Sequence, residues 1–206
     1  MNLFLLLSIP LGLLFLGTFC FPQIQKREIL KSLLGGSVTI ILLFFLYWPY
    51  SSGFRLPWNP VGLGFYYYLM EHLLFLGPLI LSYWFIEAKS SLVSDPIYRA
   101  TLWLGGGLAM MGIRDFLLSG EASTDLELFF QPLVRLLFLI TLPYFLSKMI
   151  EKRDFWLNLL FIVVIPLGTS LLAVLNYYQW GWISYVFLLP LLGGSAYFIH
   201  QRLTRM

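Results

Sequence analysis

Glu71 and His72 stand side by side in WNPVGLGFYYYLMEHLLFLGPLILSYWF, the otherwise apolar stretch from Trp58 to Phe85. An ionisable group at membrane depth is costly, so it is neutralised, paired or put to use. A carboxyl group held in an apolar setting keeps its proton and becomes an acid that can deliver it. Paired with Arg135 or Arg114 it stays a carboxylate, and its role is then structural. Both readings of Glu71 are open at this point. His72 is the nearest group able to take a proton back, although adjacent helical residues point about 100° apart. Its other reading is a membrane histidine bonded to a backbone carbonyl.

Further polar groups fall near the same depth. At about 1.5 Å per helical residue, Glu71 lies ~15 Å along its span, and Arg114 and Arg135 lie ~5 to 12 Å below the same membrane face. Arg135, with Gln131 one turn earlier, is suited to a phosphate or carboxylate, or to neutralising Glu71. Arg114, beside Asp115, reads as an interfacial anchor or as a clamp on a head group or substrate. Tyr67 and Tyr68, about one turn before Glu71, offer ring faces to a cation or line the interfacial belt. The candidate site is therefore Glu71 and His72 for proton transfer, with Arg114, Arg135, Gln131, Tyr67 and Tyr68 for substrate binding.

Composition sets the frame that must position these groups. The chain has 206 residues, 59% hydrophobic, 18% aromatic and only 11% charged, against about a quarter charged in soluble domains. Its apolar runs reach the roughly 20 residues of a membrane-crossing helix. We expect an all-α polytopic membrane protein, residues 1–206 forming one integral-membrane domain. Seven transmembrane helices are laid out over 2–21, 33–48, 61–86, 97–118, 128–146, 155–175 and 183–200. The first is read as a retained helix, since its basic residues follow the apolar run.

Ten of the thirteen basic residues fall on one side, in its loops and in the C-terminal tail, among them Lys26, Arg27, Lys31, Lys148 and Arg153, while the opposite loops hold Arg55 with Glu121, Asp125 and Glu127. The positive-inside rule puts the N-terminus outside and the C-terminus in the cytoplasm. The expected location is a bacterial inner membrane. Trp48, Trp58, Trp180 and Trp182 mark the outer belt. Gly105, Gly106 and Gly107, with Ala109 and Gly112, allow close helix packing. Pro78, Pro132, Pro143 and Pro166 kink or end helix turns and free carbonyls for polar partners.

Several chemistries are excluded. With one cysteine and two histidines, no cysteine-rich or histidine-rich metal site is expected, and no cofactor is. A net charge of +3 spread over loops is no nucleic-acid footprint. The expected partners are a membrane lipid or isoprenoid, with a membrane-protein partner or a second copy as the macromolecular option.

A resemblance rests on Gly53 to Trp58, Asn59-Pro60, Gly62, Gly64 and then Leu69-Met70-Glu71-His72-Leu73-Leu74-Phe75-Leu76. Over roughly the first 85 residues this text resembles the integral-membrane lycopene cyclase domain of carotenoid biosynthesis. That family's third helix opens with Pro-x-Glu-Glu-x-x-Phe-Phe. Here Leu69 stands for the proline, His72 for the second glutamate, and Tyr47-Trp48 for an expected aspartate. The resemblance implies an isomerase that closes a ring on a polyene end group without net redox change. Glu71 would protonate a terminal double bond, neighbouring double-bond electrons would close the ring, and a base would remove a proton. The same words are similar to the glutamate motif of CAAX-type intramembrane proteases, whose second glutamate and arginine become His72 and Leu76. The competing class is a non-catalytic membrane subunit or small transporter component, in which Glu71 and the arginines fix helix packing or line a path.

Overall fold

A computed structural model of the chain describes residues 26–51, 59–87, 96–118, 125–151, 154–178 and 180–204. The first expected span, 2–21, lies outside the described residues, as do Trp58 and Arg55. Helix is the only regular structure among the described residues. We number the α-helices α1 (Lys26–Ser51), α2 (Pro60–Tyr67), α3 (Leu76–Ser82), α4 (Pro96–Leu118), α5 (Asp125–Ile150), α6 (Phe155–Tyr177) and α7 (Gly181–Thr204). Among the described residues, four stretches are long and apolar enough to cross a membrane: Arg27–Tyr47, Phe130–Ile150, Phe155–Leu175 and Gly181–Gln201. The chain is accordingly an all-helical protein of integral-membrane character.

The stretch expected as one span over 61–86 is helical, but it changes hydrogen-bonding register. Asn59 starts it: its backbone is extended and its side chain accepts from the Gly62 amide, with Pro60 in the first turn, where a missing N–H costs nothing. After α2 the chain widens into a π-helical turn, Tyr68–Leu73, closed by the Leu74 amide on the Leu69 carbonyl at 3.0 Å. A break at Leu74 and Phe75 follows, then α3, then a second π-helical stretch, Tyr83–Glu87. Pro78 explains the break. It has no N–H for the Leu74 carbonyl four residues earlier, and its ring crowds that carbonyl. The ladder resumes with the Leu79 amide on Phe75 at 3.2 Å.

The two sides of this break belong to different compact units. One unit comprises residues up to Phe54 and Phe75–Ser123; the other comprises Arg55–Leu74 and Thr124–Met206. In the first, α1 packs along α4. Glu28 pairs with Arg99, the Ser37 hydroxyl reaches Gly106, and Gly36 faces Gly107. These partners keep a nearly constant offset in sequence, so the two helices run parallel. Glycine makes this possible: a Cβ at Gly36 would strike the Trp103 carbonyl oxygen, and one at Gly106 the Leu33 carbonyl oxygen. α3 runs antiparallel to α4, since Gly107 lies beside Leu79 while Tyr83, just after α3, donates to the Pro96 carbonyl, and Trp103 Nε1 donates to the Leu79 carbonyl (3.2 Å) and to Ser82 Oγ (3.3 Å).

In the second unit, α5 is the central element. It packs on α6 and α7, while α2 packs on α6 through Gly64, Leu171 and Val174. Ring contacts give the directions. Phe145, five residues before the end of α5, stacks on Phe161, six after the start of α6, so α5 and α6 run antiparallel; Phe130 meets Tyr185 and Tyr144 meets Phe198, so α5 and α7 run parallel. Of the apolar window in α5, 72% is buried, against 11% in α7. The exposed side of α7 carries Trp182, Val186, Phe187, Leu189, Leu191 and Tyr197. A row so apolar belongs against lipid.

Candidate functional site

The π-helical turn carries both Glu71 and His72. Such single wide turns inside helices recur at functional sites, because the inserted residue spoils the regular ladder and re-aims the side chains on it. Among the described residues it is also the place where the second unit buries an imidazole. His72 is 8% exposed. Its ring meets Phe138 of α5 edge-on at 5.2 Å between centroids and Tyr68, one turn earlier, at 6.5 Å. Nε2 lies 3.3 Å from Thr169 Oγ1 of α6. Nδ1 is buried and has no hydrogen-bond partner among the described residues.

Pro166 prepares the α6 side of this contact. Its carbonyl accepts from Thr169 Oγ1 at 2.9 Å and from Ser170 Oγ at 2.9 Å, and both residues are buried. Hydroxyls that fold back onto their own helix in this way are tolerated deep in an apolar bundle, because their single proton is already placed. Thr169 thereby keeps a lone pair for the imidazole.

The α5 side adds charge. Arg135 is 5% exposed. It lies three residues before Phe138 and four after the half-buried Gln131, so all three share the helix face on which His72 packs. Tyr67 is half-buried, its ring edge-on to Tyr66 at 6.2 Å. Thus His72, Tyr67, Tyr68, Gln131 and Arg135 belong to one unit, as does the backbone of Glu71, whose side chain lies outside what is described. Arg114 belongs to the other unit, where its guanidinium sits 4.4 Å over the centroid of the Phe75 ring. Depth along a helix assigns height and leaves neighbours open, which is why Arg114 and Arg135 looked alike in the sequence.

Phe138, Thr169 and Ser170 were not anticipated as site residues. The available signal was Pro166 followed by two hydroxyl residues at the third and fourth positions, where they fold back on its carbonyl. Among the described residues no group of three His, Cys, Asp or Glu side chains could hold a metal ion.

Fold and site together define a helical protein of membrane character with a polar core around one buried histidine. No family model matches the chain, and no curated protein or solved structure is significantly similar to it.

Proposed function

We propose that this protein is a membrane-embedded enzyme that carries out acid–base chemistry on an isoprenoid or similar lipid at Glu71 and His72. The observation that carries this reading is the buried His72 on a π-helical turn, with one ring nitrogen held by Thr169 and the other without a partner among the described residues. A bare imidazole nitrogen in a water-poor setting is a proton acceptor that nothing else has claimed. Glu71, one residue earlier, supplies the acid. In the cyclase-like form of the reaction, Glu71 gives a proton to a terminal double bond, the neighbouring double-bond electrons close a ring, and His72 removes a proton from the resulting cation. The substrate is isomerised and no electrons are gained or lost.

The proposal includes seven membrane passes with the N-terminus outside and the C-terminus in the cytoplasm of a bacterial inner membrane. The alternating helix directions within each unit support successive passes. Reporter fusions at each loop test the orientation.

The experiment that tests the reaction uses membranes containing the full chain, suspended in heavy water and supplied with isoprenoid lipids. Mass spectrometry should find deuterium fixed on carbon or a ring-containing isomer, with a loss of about 100-fold or more in Glu71→Gln. An unaltered lipid pool from well-folded protein would overturn the reading. Cells that accumulate linear carotene test the cyclase resemblance itself, since ringed pigment is expected only if the substrate is that hydrocarbon.

The break at Leu74 and Phe75 favours a second reading, a small transporter component, because discontinuous membrane helices build ion and substrate sites in transporters. In that case flux across vesicles would fall in Glu71→Gln while the lipid pool stayed chemically unchanged.

A further inference from the structure

Resting on that acid–base reading, we infer that the substrate is an isoprenoid lipid bearing a hydroxyl group, and that the hydroxyl donates to Nδ1 of His72. The argument starts from one proton. Thr169 Oγ1 has a single hydrogen and two neighbours able to receive it, the Pro166 carbonyl at 2.9 Å and His72 Nε2 at 3.3 Å. The carbonyl contact lies within ordinary O–H···O length and the imidazole contact is longer, so the carbonyl takes it. Thr169 therefore faces the imidazole with a lone pair, so Nε2 must carry the ring hydrogen. A neutral imidazole has one N–H and one lone pair, and Nδ1 is left as the acceptor.

That acceptor is buried and unsatisfied among the described residues. A desolvated nitrogen of this kind is costly, and native interiors leave few of them. A hydrocarbon chain has nothing to offer it. A lipid hydroxyl does, because it is a donor, arrives from the bilayer without bringing bulk water, and leaves its isoprenoid tail among Phe138, Tyr68 and Leu73. An ether, ester or ketone, each only an acceptor, would face Nδ1 lone pair to lone pair. The turn itself is where we place entry: Tyr68–Leu73 departs from the regular α-helical ladder, and Leu73 at its end is exposed. Irregular turns with fewer regular bonds open at lower cost than the helix on either side.

The same geometry gives the hydroxyl a purpose. Anchored on Nδ1, it fixes how far the chain's double bonds lie from the π-helical turn, which is worth orders of magnitude in rate, and it relays the last proton: its oxygen takes a proton from the ring cation as its own passes to Nδ1, so His72 remains the base.

The test uses the full-length protein with nitrogen-15 histidine in lipid nanodiscs. The chain has two histidines, so His200→Gln leaves the His72 signals alone. Without ligand, Nδ1 should show the shift of an unprotonated ring nitrogen and Nε2 that of a protonated one. Geranylgeraniol should move the Nδ1 signal in the direction of an accepted hydrogen bond. It should bind roughly tenfold or more tightly than geranylgeranyl methyl ether or squalene. Thr169→Val, which keeps the shape and removes the hydroxyl, should mix the two tautomers and erase the preference for the alcohol, while Thr169→Ser should retain both.

A protonated Nδ1 in the unliganded protein overturns the inference. So do equal binding of the three probes and an Nδ1 signal that none of them moves. Deuterium incorporation read on the same samples separates the two claims: label fixed without alcohol preference leaves the acid–base reading standing on a hydrocarbon substrate, and alcohol preference without label leaves a binding site and removes the chemistry.

Discussion

The two units treat buried polar groups differently. Where α1 meets α4, the polar groups are used to join helices. Ser37, Thr39 and Ser82 also fold back on their own helices, but each in addition reaches across: Ser37 Oγ to the Gly106 carbonyl, Thr39 to Ser82, and Ser82 to Trp103 Nε1, which also donates to Leu79, while Arg99 holds Glu28 at 3.0 Å. Around His72, Thr169 and Ser170 turn back on their own helix, and one imidazole nitrogen has no partner among the described residues. The first arrangement adds stability because satisfied hydrogen bonds replace lipid contact. The second gives stability away, and an open buried acceptor is retained only where something else uses it. One stretch of chain serves both, with its first half in the polar-core unit and its second half in the glycine-packed unit.

The sharpest way to break this contrast is to crowd the glycine seam. Gly106→Leu places a side chain against the Leu33 backbone, which cannot yield as a side-chain tip could. We expect a loss of about 3 kcal/mol or more, or failure to accumulate folded protein. Thermal unfolding in detergent measures it. Trp103→Phe removes the donor that joins α4 to α3 and is expected to cost about 1–3 kcal/mol in the same assay. Glu28→Gln keeps the shape and deletes the charge opposite Arg99. Because the Glu28 side chain is 38% exposed, solvent screening limits the expected loss to about 1 kcal/mol, smaller still at high salt. The control is Gly168→Ala on α6, whose added Cβ would meet nothing within 4 Å. A gain of up to about 1 kcal/mol from helix propensity is expected there, opposite in sign to the seam variant.

Much of this architecture was legible beforehand, and for a physical reason. Helices in lipid must satisfy their own backbone, so apolar length alone marks them. Helices stand where two spans were expected, α6 at Phe155–Tyr177 over 155–175 and α4 at Pro96–Leu118 over 97–118, and of these two α6 alone is among the stretches long and apolar enough to cross. The start of α1 was placed late, at 33 in place of Lys26, because Lys26 to Ser32 is polar and helices extend past the hydrocarbon. The break before α3 was half legible, since Pro78 is visible in the text but the wide turn before it has no side-chain signature. At the site, His72 and Arg135 could be suspected because charge in an apolar run is conspicuous. Thr169 could not, because hydroxyl residues are ordinary in membrane helices and only a neighbour's geometry shows what one of them does.

The central claim is that His72 is kept for use and not for stability, and the unfolding midpoint of His72→Leu tests it most directly. Leucine fills similar volume and removes the bare nitrogen, while Thr169 keeps its bond to Pro166. The account predicts a midpoint equal to or above that of the wild type, together with loss of deuterium incorporation into lipid. A fall in the midpoint as large as that of Trp103→Phe would show that the imidazole is a structural tie, and would contradict the account.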